Sequence, residues 1–588
     1  MPFTAPSPFT TRPTLTGTFG MAASTHWLAT ATAQSVLERG GNAYDAVVAG
    51  GFVLQVVEPH LNGPGGDLVG IFQSPDDASP VVLCGQGPAP QGATIEHFVG
   101  EGLDLVPGAG ALAAAVPGAV DAWLLLLRER GTWELADVLA YAIGYARDGH
   151  PLLAAVAGTI TRVAALFEQH WPTSAALWAG AEAGKLFRNP ALAGVFERLA
   201  ASEGESRVER IDTARAQWSS GFVAEAIDAF AREPHRHSDG AEHAGVIRAS
   251  DLAAFQASFE PAVTADFRGY SIAKAGAWTQ GPALLQTLAL LDGFDDERLD
   301  PSSALGVHTI LEALKLALAD RDAWYGDSGD VPLEQLLGAD YADARRSLIT
   351  QVASHDFRPG SPGENPPAPL ALHRDAGAFA GAGEPTVAAD GQTRGDTCHI
   401  DVVDSWGNIV SVTPSGGWLQ SSPTIPELGF CLGTRLQMTW LTTGSPSTLT
   451  PGRRPRTTLT PTLVLRDGRP VAALGSPGGD QQDQWQLLYL LRTIVGGYEP
   501  QQAIDAPAFH TESFPSSFWP RSWQPGSSFV EARLGEAAIA ELIVRGHDIT
   551  VDGEWSLGRI SVVGIDPATG ILFAAANPRG SQGYAAGR

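Results

Sequence analysis

The sequence predicts a mixed α and β protein in which sheets lie between layers of helices. Two short strand-like runs, 399–403 and 409–412, flank the Gly-containing turn 405–408, which is typical of an antiparallel hairpin. Stretches with apolar residues at helical spacing stand between the strand-like runs. Strand pairs are expected both before and after these helical stretches, so helices are available to cover both sides of the sheets.

In order along the chain, the first half is expected to be mainly helical around an early strand pair. A short strand opens at Gly20 and leads into a helix that Ser24 or Thr25 caps and that ends at Gly40 and Gly41. Further helices are predicted at 45–57, 120–130 and 135–147 and through most of 152–230, with strands at 68–73 and 81–84.

The second half is expected to alternate more often between strands and helices. Strand-like runs are predicted at 264–274, 462–465, 471–475, 560–565 and 571–575, and helices at 283–291, 303–324 and 484–495. Residues 475–480 form a glycine-containing turn between a strand and a helix.

Two polar groups of residues invite a functional interpretation that their context does not favour. Glu58 and His60 precede a glycine-rich turn that lacks the Lys-Ser or Lys-Thr of a phosphate loop, and they are expected to be buried, hydrogen-bonded scaffold residues. His235, His237 and His243 are spaced unlike a structural zinc site, so we expect them in a solvated loop and predict no metal.

Composition and charge limit the classes of partner. The chain has 588 residues, 44% hydrophobic and 17% charged, which suits a globular protein. Its net charge of −26 argues against nucleic acid or an anionic membrane as a partner. The three cysteines Cys84, Cys398 and Cys431 do not imply a disulfide framework, and Cys398 is expected to be a small buried side chain.

The N-terminal residues 1–20 are rich in Pro and Thr and lack the basic start and apolar run of a secretory signal. No run of eighteen or more apolar residues occurs in the sequence, so no membrane span is expected. The expected location is therefore the cytoplasm.

Thr397 lies where a long irregular segment meets the hairpin 399–412. Residues 359–395 are rich in Pro, Gly and Ala and have neither helical nor strand periodicity. A Thr hydroxyl needs a base, and its own α-amino group, with a pKa of about 7.7–8.0, can serve once the preceding peptide bond is cut. This chemistry requires self-cleavage between Asp396 and Thr397; the alternative is that Thr397 is an ordinary strand residue.

The segment 395–404, the hairpin and the run 475–479 together resemble the γ-glutamyltransferase (glutathione hydrolase) family of N-terminal-nucleophile hydrolases. The segments 40–46, 57–60, 115–119 and 267–270 extend that resemblance over nearly the whole chain. It implies a four-layer αββα sandwich with no metal or organic cofactor. It also implies processing into a large piece, 1–396, with 359–396 as a flexible processing segment, and a small piece, 397–588, which stay associated as one domain.

The resemblance also implies roles for particular residues. Thr397 corresponds to the nucleophile, and Ser415 to a hydroxyl that hydrogen-bonds it. Gly478 and Gly479 correspond to the oxyanion hole, where backbone N–H groups stabilise developing negative charge. Thr457 and Thr458 fall where the family has two serines that touch the substrate carboxylate, and His399 is either an orienting residue or part of the core.

Several positions depart from the pattern that binds a γ-glutamyl group. Gln86 stands where the family has an Arg for the α-carboxylate, Met438 where it has an Asp for the α-ammonium, and Gly417 where it has an Asn. Each lost charged contact would cost about 2–5 kcal/mol. Arg435, which has no counterpart in that pattern, is either a replacement ligand for a carboxylate or a surface residue.

These observations predict an auto-processed N-terminal-threonine amide hydrolase or acyltransferase that works through an acyl-enzyme. Its substrate is a γ-glutamyl compound or another small acidic amide; the departures favour a carboxylated amide without an α-ammonium, such as a glutaryl or oxamate-like compound. A non-catalytic protein that retains the fold is the alternative from another class.

Overall fold

Two seven-stranded antiparallel sheets form the centre of the protein. The computed structural model describes residues 3–363, 366–367, 370, 372 and 397–588. Sheet I contains, in spatial order, Leu15–Gly17, Leu572–Ala576, Ser561–Ile565, Arg469–Gly475, Thr462–Arg466, Tyr270–Lys274 and Val263–Phe267. Sheet II contains Tyr584–Gly587, Gly20–Ser24, Ile400–Asp404, Ile409–Ser415, Asp67–Gln73, Val81–Gly85 and Ser258–Pro261.

Helices cover the outer face of each sheet. Sheet II packs against Trp27–Glu38, Ala43–Val57, Ala119–Arg130, Leu135–Asp148, Pro190–Ala200, Arg207–Ser219 and Phe222–Ala231. Sheet I packs against Pro282–Asp292, Ala304–Trp324, Gln482–Leu490 and its π-helical continuation Leu491–Val495, with Pro500–Asp505 and Glu536–Val544 at the same side.

Smaller elements connect these layers. The remaining helices are Ile95–Gly100, Ala154–His170, Pro172–Trp178, Ala249–Ala254, Leu333–Leu336 and Ala339–Arg346, with short 3₁₀ turns such as Arg435–Met438 and Gly479–Gln481. A three-stranded sheet contains Phe509–Thr511, Ser527–Glu531 and Asp548–Asp552, and two-stranded ribbons pair His150–Pro151 with Leu186–Phe187 and His235–Arg236 with Glu242–His243.

Side-chain alternation in the strands separates three apolar layers. Val403 and Met21 of sheet II face Leu463 and Val563 of sheet I in the layer between the sheets. Ile400 and Val402 point to the opposite face of the sheet, into the core under the helices Trp27–Glu38 and Ala43–Val57. Because successive strand residues point to opposite faces, one hairpin serves both layers. The four-layer αββα architecture predicted from the resemblance is thereby confirmed.

Several local predictions need correction. The first helix is capped by His26, whose Nδ1 accepts a hydrogen bond from Leu28 N at 3.0 Å, rather than by Ser24 or Thr25. The run 264–274 is a hairpin of two strands, since Arg268 and Gly269 have φ of +50° and +83° and turn the chain between them.

The prediction that the histidines 235, 237 and 243 lie in a solvated loop is wrong for two of them. His237 and His243 are buried, and His237 Nε2 accepts a hydrogen bond from Leu112 N at 2.9 Å. His243 contacts Glu101 and Asp239 through its two ring nitrogens. In the part of the chain that the structure describes, no three His, Cys, Asp or Glu side chains are grouped to hold a metal.

Two further predictions concern membranes and the processing segment. Among the helices within the described ranges, none has the length and apolar content to cross a bilayer. Most of the predicted processing segment 359–396, including Asp396 at the predicted cleavage site, lies outside the described residues.

Candidate active site

Thr397 lies at the start of the hairpin of sheet II, on the face that looks toward sheet I. It pairs as an isolated bridge with Ser415, the last residue of the neighbouring strand. Thr397 Oγ1 donates a hydrogen bond to Ser415 Oγ at 3.3 Å, and both side chains are fully buried. Cys398 N donates to Pro414 O at 3.0 Å, which fixes the backbone beside Thr397. The structure therefore brings the predicted nucleophile and its predicted hydroxyl partner together.

A row of polar side chains continues from Thr397 along the same face of its strand. His399 Nδ1 lies 2.8 Å from Thr413 Oγ1, and His399 Nε2 lies 2.8 Å from Asp401 Oδ1. Asp401 also accepts hydrogen bonds from Ser411 at 2.6 Å and from Ser561 of sheet I at 2.8 Å. The imidazole is thus held on both nitrogens, which fits an orienting role for His399 better than a free base.

His399 also connects the hairpin to sheet I. A Cβ at Gly475 would lie 2.1 Å from His399 Cε1, so only glycine permits this contact. Gly475 ends a strand of sheet I and begins the turn that contains Gly478 and Gly479. Thr397 is two residues before His399 on the same face, about 7 Å along the strand, so the turn begins near the Thr397 end of the hairpin.

The turn itself requires glycine. Gly478 and Gly479 have φ of +120° and +54°, and a Cβ at Gly478 would lie 2.4 Å from Trp485 Cζ3. Gly479 starts a 3₁₀ turn that continues into the helix Gln482–Leu490, so its N–H groups are at a helix N-terminus. Such groups suit a developing oxyanion, and the assignment of Gly478 and Gly479 as the oxyanion hole stays a prediction.

Thr457 and Thr458 are buried next to this turn. Thr457 N donates to Trp278 O at 3.0 Å, while Thr458 Oγ1 has no hydrogen-bond partner among the described residues. The Gln482 side-chain amide, in the orientation that satisfies its hydrogen bonds, donates to Thr458 O and Ser476 O, both at 3.2 Å. This amide links the Thr457–Thr458 segment to the turn 475–479.

Arg435 and Gln86 line one small cavity behind Ser415, together with Gly66, Asp67, Gly416 and Gly433. Arg435 forms a bidentate ion pair with Asp67, with Nε–Oδ2 and Nη2–Oδ1 distances of 2.6 and 2.8 Å. Both residues are buried, so Arg435 is not a surface residue and its charge is balanced within the protein. Gln86 is buried and donates to Gly87 O at 3.0 Å. Substrate contacts by Gln86 and Arg435 stay predictions.

Met438, at the position of the family's ammonium-binding Asp, lies in an apolar cluster. It packs with Trp418 and Phe518, and all three are nearly fully buried. Trp418 follows Gly417 directly after the hairpin and donates from Nε1 to Leu61 O at 2.8 Å. Arg435 Nη1 also donates to Met438 Sδ at 3.7 Å, so two apolar side chains and a guanidinium surround Met438, and neither suits an ammonium.

Glu58 is a buried scaffold residue, as predicted, on the other side of the hairpin. Its carboxyl accepts from Thr25 Oγ1 at 2.6 Å and from Cys398 Sγ at 3.0 Å. Burial raises the pKa of Glu58 and raises that of Cys398 well above its usual value. Burial lowers the pKa of His60 to about 3, so His60 is a neutral imidazole at pH 7.

Sequence reasoning missed a buried cluster of charges beside the turn 475–480. It contains Arg321, Asp322, Arg456, Asp480 and Arg521. Two of its members adjoin predicted site residues in sequence, because Arg456 precedes Thr457 and Asp480 follows Gly479. That adjacency was the available signal, but the burial of the charges is visible only in three dimensions.

Comparison with known proteins places the chain among related enzymes. A family model described as gamma-glutamyltranspeptidase matches residues 29–587. The chain is 31% identical to the oxamate amidohydrolase proenzyme of Klebsiella pneumoniae, covering 97% of this chain and 98% of that protein. It is 29% identical to the glutathione hydrolase-like YwrD proenzyme of Bacillus subtilis, covering 96% and 98%.

Solved structures extend the similarity to three dimensions. The structure of LmbA2991HD is 55% identical with a TM-score of 0.93, covering 99% of this chain and all of that one. The cephalosporin acylase from Bacillus halodurans is 25% identical with a TM-score of 0.82, covering 99% and 98%.

Proposed function

The chain belongs to the gamma-glutamyltranspeptidase family, and we propose that it is a self-processing amide hydrolase that uses Thr397 as its N-terminal nucleophile. The observation that carries this proposal is the contact of Thr397 Oγ1 with Ser415 Oγ at 3.3 Å, on the strand whose His399 packs on Gly475, where the turn of Gly478 and Gly479 begins. A hydroxyl at a strand start, next to backbone donors in a closed site, is what covalent acyl transfer needs.

Self-cleavage prepares the nucleophile. Thr397 Oγ1 attacks the carbonyl of Asp396, the peptide bond becomes an ester, and water hydrolyses the ester to leave a free α-amine on Thr397. Sheet II supports association of the two pieces after cleavage, because its strands come from both sides of the junction. Gly20–Ser24 and Asp67–Gln73 from the large piece flank the hairpin Ile400–Ser415 of the small piece.

The catalytic cycle uses the amine made by this cleavage. Thr397 Oγ1 attacks the substrate carbonyl while its proton passes to the α-amine, and N–H groups of Gly478 and Gly479 stabilise the oxyanion. The C–N bond then breaks, the leaving amine takes a proton from the α-ammonium, and an acyl ester remains. Water or an acceptor amine attacks this ester and restores the hydroxyl.

For the substrate, we favour an amide whose acyl group bears a carboxylate but no α-ammonium. Met438 lies in the apolar cluster with Trp418 and Phe518, where an ammonium would lose its hydration without a partner. Relatives named as an oxamate amidohydrolase and a cephalosporin acylase are consistent with acidic or acylated amides. A classical γ-glutamyl substrate is the competing candidate, favoured by the glutathione hydrolase-like relative.

A denaturing gel with mass spectrometry tests the processing step. Purified protein is expected to give two fragments that meet between Asp396 and Thr397, and the Thr397→Ala variant is expected to give one full-length band. A single band from active wild-type protein would contradict the proposal, and a single band from inactive protein would favour a non-catalytic scaffold.

Paired chromogenic substrates test the acyl group. Glutaryl and γ-glutamyl p-nitroanilides differ only in the α-ammonium, so the ratio of their kcat/KM values isolates that group. We expect the glutaryl compound to be preferred by about tenfold or more, since burying an unpartnered ammonium is costly. A clear preference for the γ-glutamyl compound would overturn this choice of substrate.

A further inference from the structure

The side chains of the charge cluster beside the turn 475–480 are buried. Arg321, Arg456 and Arg521 are each at most 1% exposed, and Asp322 and Asp480 at most 4%. Arg321 pairs with Asp322 at 3.1 Å and with Asp480, and Arg456 pairs with Asp322 at 3.2 Å. Ser517 Oγ donates to Asp480 at 2.6 Å and accepts from Arg456 at 2.9 Å.

This cluster carries one more positive charge than negative. Its three guanidinium groups face only two carboxylates. Burial, with repulsion from a neighbouring Arg, lowers the pKa of Arg521 to about 9 and that of Arg456 to about 10. A buried charge without a counterion is unfavourable, so the cluster is electrostatically suited to accept an anion.

Unused hydrogen-bond donors belong to the same two arginines. Within the described residues, Arg456 Nη1 and both Nε and Nη2 of Arg521 have no partner. Arg521 is held in place from its other side, since Nη1 donates to Gln437 O at 3.3 Å and to Thr439 O at 3.0 Å. Its guanidinium lies over the Trp440 ring, with Cζ 3.6 Å from the centroid.

The backbone at Arg521 supports the same interpretation. Arg521 has φ of +60°, in the left-handed region that non-glycine residues rarely adopt. Such conformations persist where the surrounding structure enforces them, and they concentrate at ligand-binding sites. The conformation directs a large charged side chain into the protein instead of into solvent.

Sequence adjacency links Arg456 and Asp480 of the cluster to the predicted site residues. Arg456 Nη2 and Asp480 Oδ1 both contact Ser517 Oγ, so they are at most about 5.5 Å apart. Asp480 follows Gly479, and Arg456 precedes Thr457 and Thr458. Through Asp480 and Arg456, the cluster is therefore connected to the segments that contain the predicted oxyanion hole and Thr457–Thr458.

We propose that Arg456 and Arg521 together bind the carboxylate of the acyl group that Thr397 transfers. This inference rests on the proposed function and adds the residues that recognise the acid. A guanidinium presents parallel donors that match the two oxygens of a carboxylate, and the extra positive charge of the cluster is balanced when the acid binds. Arg435 differs, because Asp67 already balances its charge.

Binding of a product acid tests the proposal without requiring turnover. Glutarate and glutaramide differ in charge but hardly in shape, and their binding to wild-type protein and to the Arg521→Gln variant is measured by calorimetry. We expect wild type to bind glutarate and not glutaramide, and Arg521→Gln to weaken glutarate binding by about 30-fold or more. No glutarate binding by wild type, or equal binding by both proteins, would overturn the proposal.

Two further variants separate binding from folding. Arg492→Gln is the matched control, since Arg492 is 2% exposed, has an unpartnered Nε and donates to carbonyls of Ala503 and Pro507 away from the cluster. It is expected to keep glutarate binding. If Arg521→Gln does not fold, Arg521→Lys replaces it in the experiment. This change keeps the positive charge but removes the two parallel N–H donors of the guanidinium, and it is expected to weaken glutarate binding at least threefold. Unchanged affinity in Arg521→Lys would then overturn the proposal.

Kinetics distinguish this proposal from the proposed function. Arg521→Gln should raise KM for glutaryl p-nitroanilide and leave the neutral glutaramyl compound unchanged within about threefold. An equal loss on both compounds would mean that the cluster only supports the turn at Asp480. Absence of self-cleavage and turnover in wild type would refute the proposed function, while the calorimetry would still decide whether the arginines bind the acid.

Discussion

Replacing Gly478 by Ala tests the assignment of the oxyanion hole most directly. The added Cβ would lie 2.4 Å from Trp485 Cζ3, whereas ordinary contacts of this kind are about 3.4 Å or longer. The turn or the ring must therefore move by about 1 Å. Trp485 is 2% exposed and packs edge to face with His510 at a centroid distance of 5.7 Å, so the turn is the part that yields.

A displacement of that size is large for a catalytic donor. Misplacement by about 1 Å can cost roughly 100-fold in rate, and loss of one oxyanion donor costs roughly 100- to 1,000-fold in kcat, or about 2.7–4 kcal/mol. We expect Gly478→Ala to lower kcat by that factor with little change in KM. Self-cleavage, which passes through the same kind of oxyanion, should slow in parallel.

The assay combines steady-state hydrolysis of glutaryl p-nitroanilide with fragment formation on a denaturing gel. Gly570→Ala is the matched control, because Gly570 also has a positive φ, +72°, but no heavy atom lies within 4 Å of its added Cβ. Gly570→Ala therefore places alanine at a positive φ, at a cost of about 1 kcal/mol, without displacing a neighbouring side chain. Activity of Gly478→Ala within threefold of wild type, or an equal loss in Gly570→Ala, would refute the assignment.

Four other outcomes follow from the same site. Thr397→Ala should abolish both fragment formation and turnover, whereas Thr397→Ser should retain both at reduced rate; turnover by the alanine variant would remove Thr397 from the mechanism. Met438→Asp should shift the ratio of kcat/KM toward γ-glutamyl over glutaryl p-nitroanilide by about tenfold, and an unchanged ratio would place the ammonium elsewhere. Asp67→Ala leaves Arg435 buried without its carboxylate partner and should lower the free energy of unfolding, measured by denaturant titration, by about 3–5 kcal/mol. Adding Arg435→Met to this variant should restore stability. A decrease of less than about 1 kcal/mol in Asp67→Ala would contradict the burial of the pair. The pH profile of kcat/KM should rise with an apparent pKa near 7.7–8.0, the value of a free α-amine, and a profile without a limb in that range would remove the α-amine as the base.

Local sequence was most informative where a short pattern of residues corresponds to one kind of secondary structure. The alternation through 399–403 and the turn 405–408 predicted a hairpin, and the structure has Ile400–Asp404 paired with Ile409–Ser415. The residues 475–480 predicted a glycine-containing turn, and the structure has Gly478 and Gly479 at positive φ there; their assignment to the oxyanion hole came from the family resemblance. The helix predicted at 303–324 is present as Ala304–Trp324, with Ser303 as its cap.

Predictions were missing or wrong where a long-range contact outweighs the local pattern. Tyr584–Gly587 shows little strand character in sequence, yet it pairs with Gly20–Ser24 because the edge of sheet II offers free backbone groups. His237 and His243 lie in a polar run that suggested solvent, but Leu112 N donates to His237 Nε2, Gly108 N donates to Ser238 Oγ, and His243 contacts Glu101 and Asp239. No local period contains this information.

The sequence by itself determined the chemistry available at the candidate site: a threonine at a strand start, a hydroxyl opposite it and a glycine turn. These depend on residue type and short spacing, which the chain carries locally. Only the tertiary structure decided which charges are balanced. Arg435 is partnered by Asp67, 368 positions away, whereas Arg456 and Arg521, 65 positions apart in sequence, retain free donors in one buried cluster. Electrostatic balance depends on distance in space and on exclusion of water, and a linear sequence specifies neither until the chain has folded.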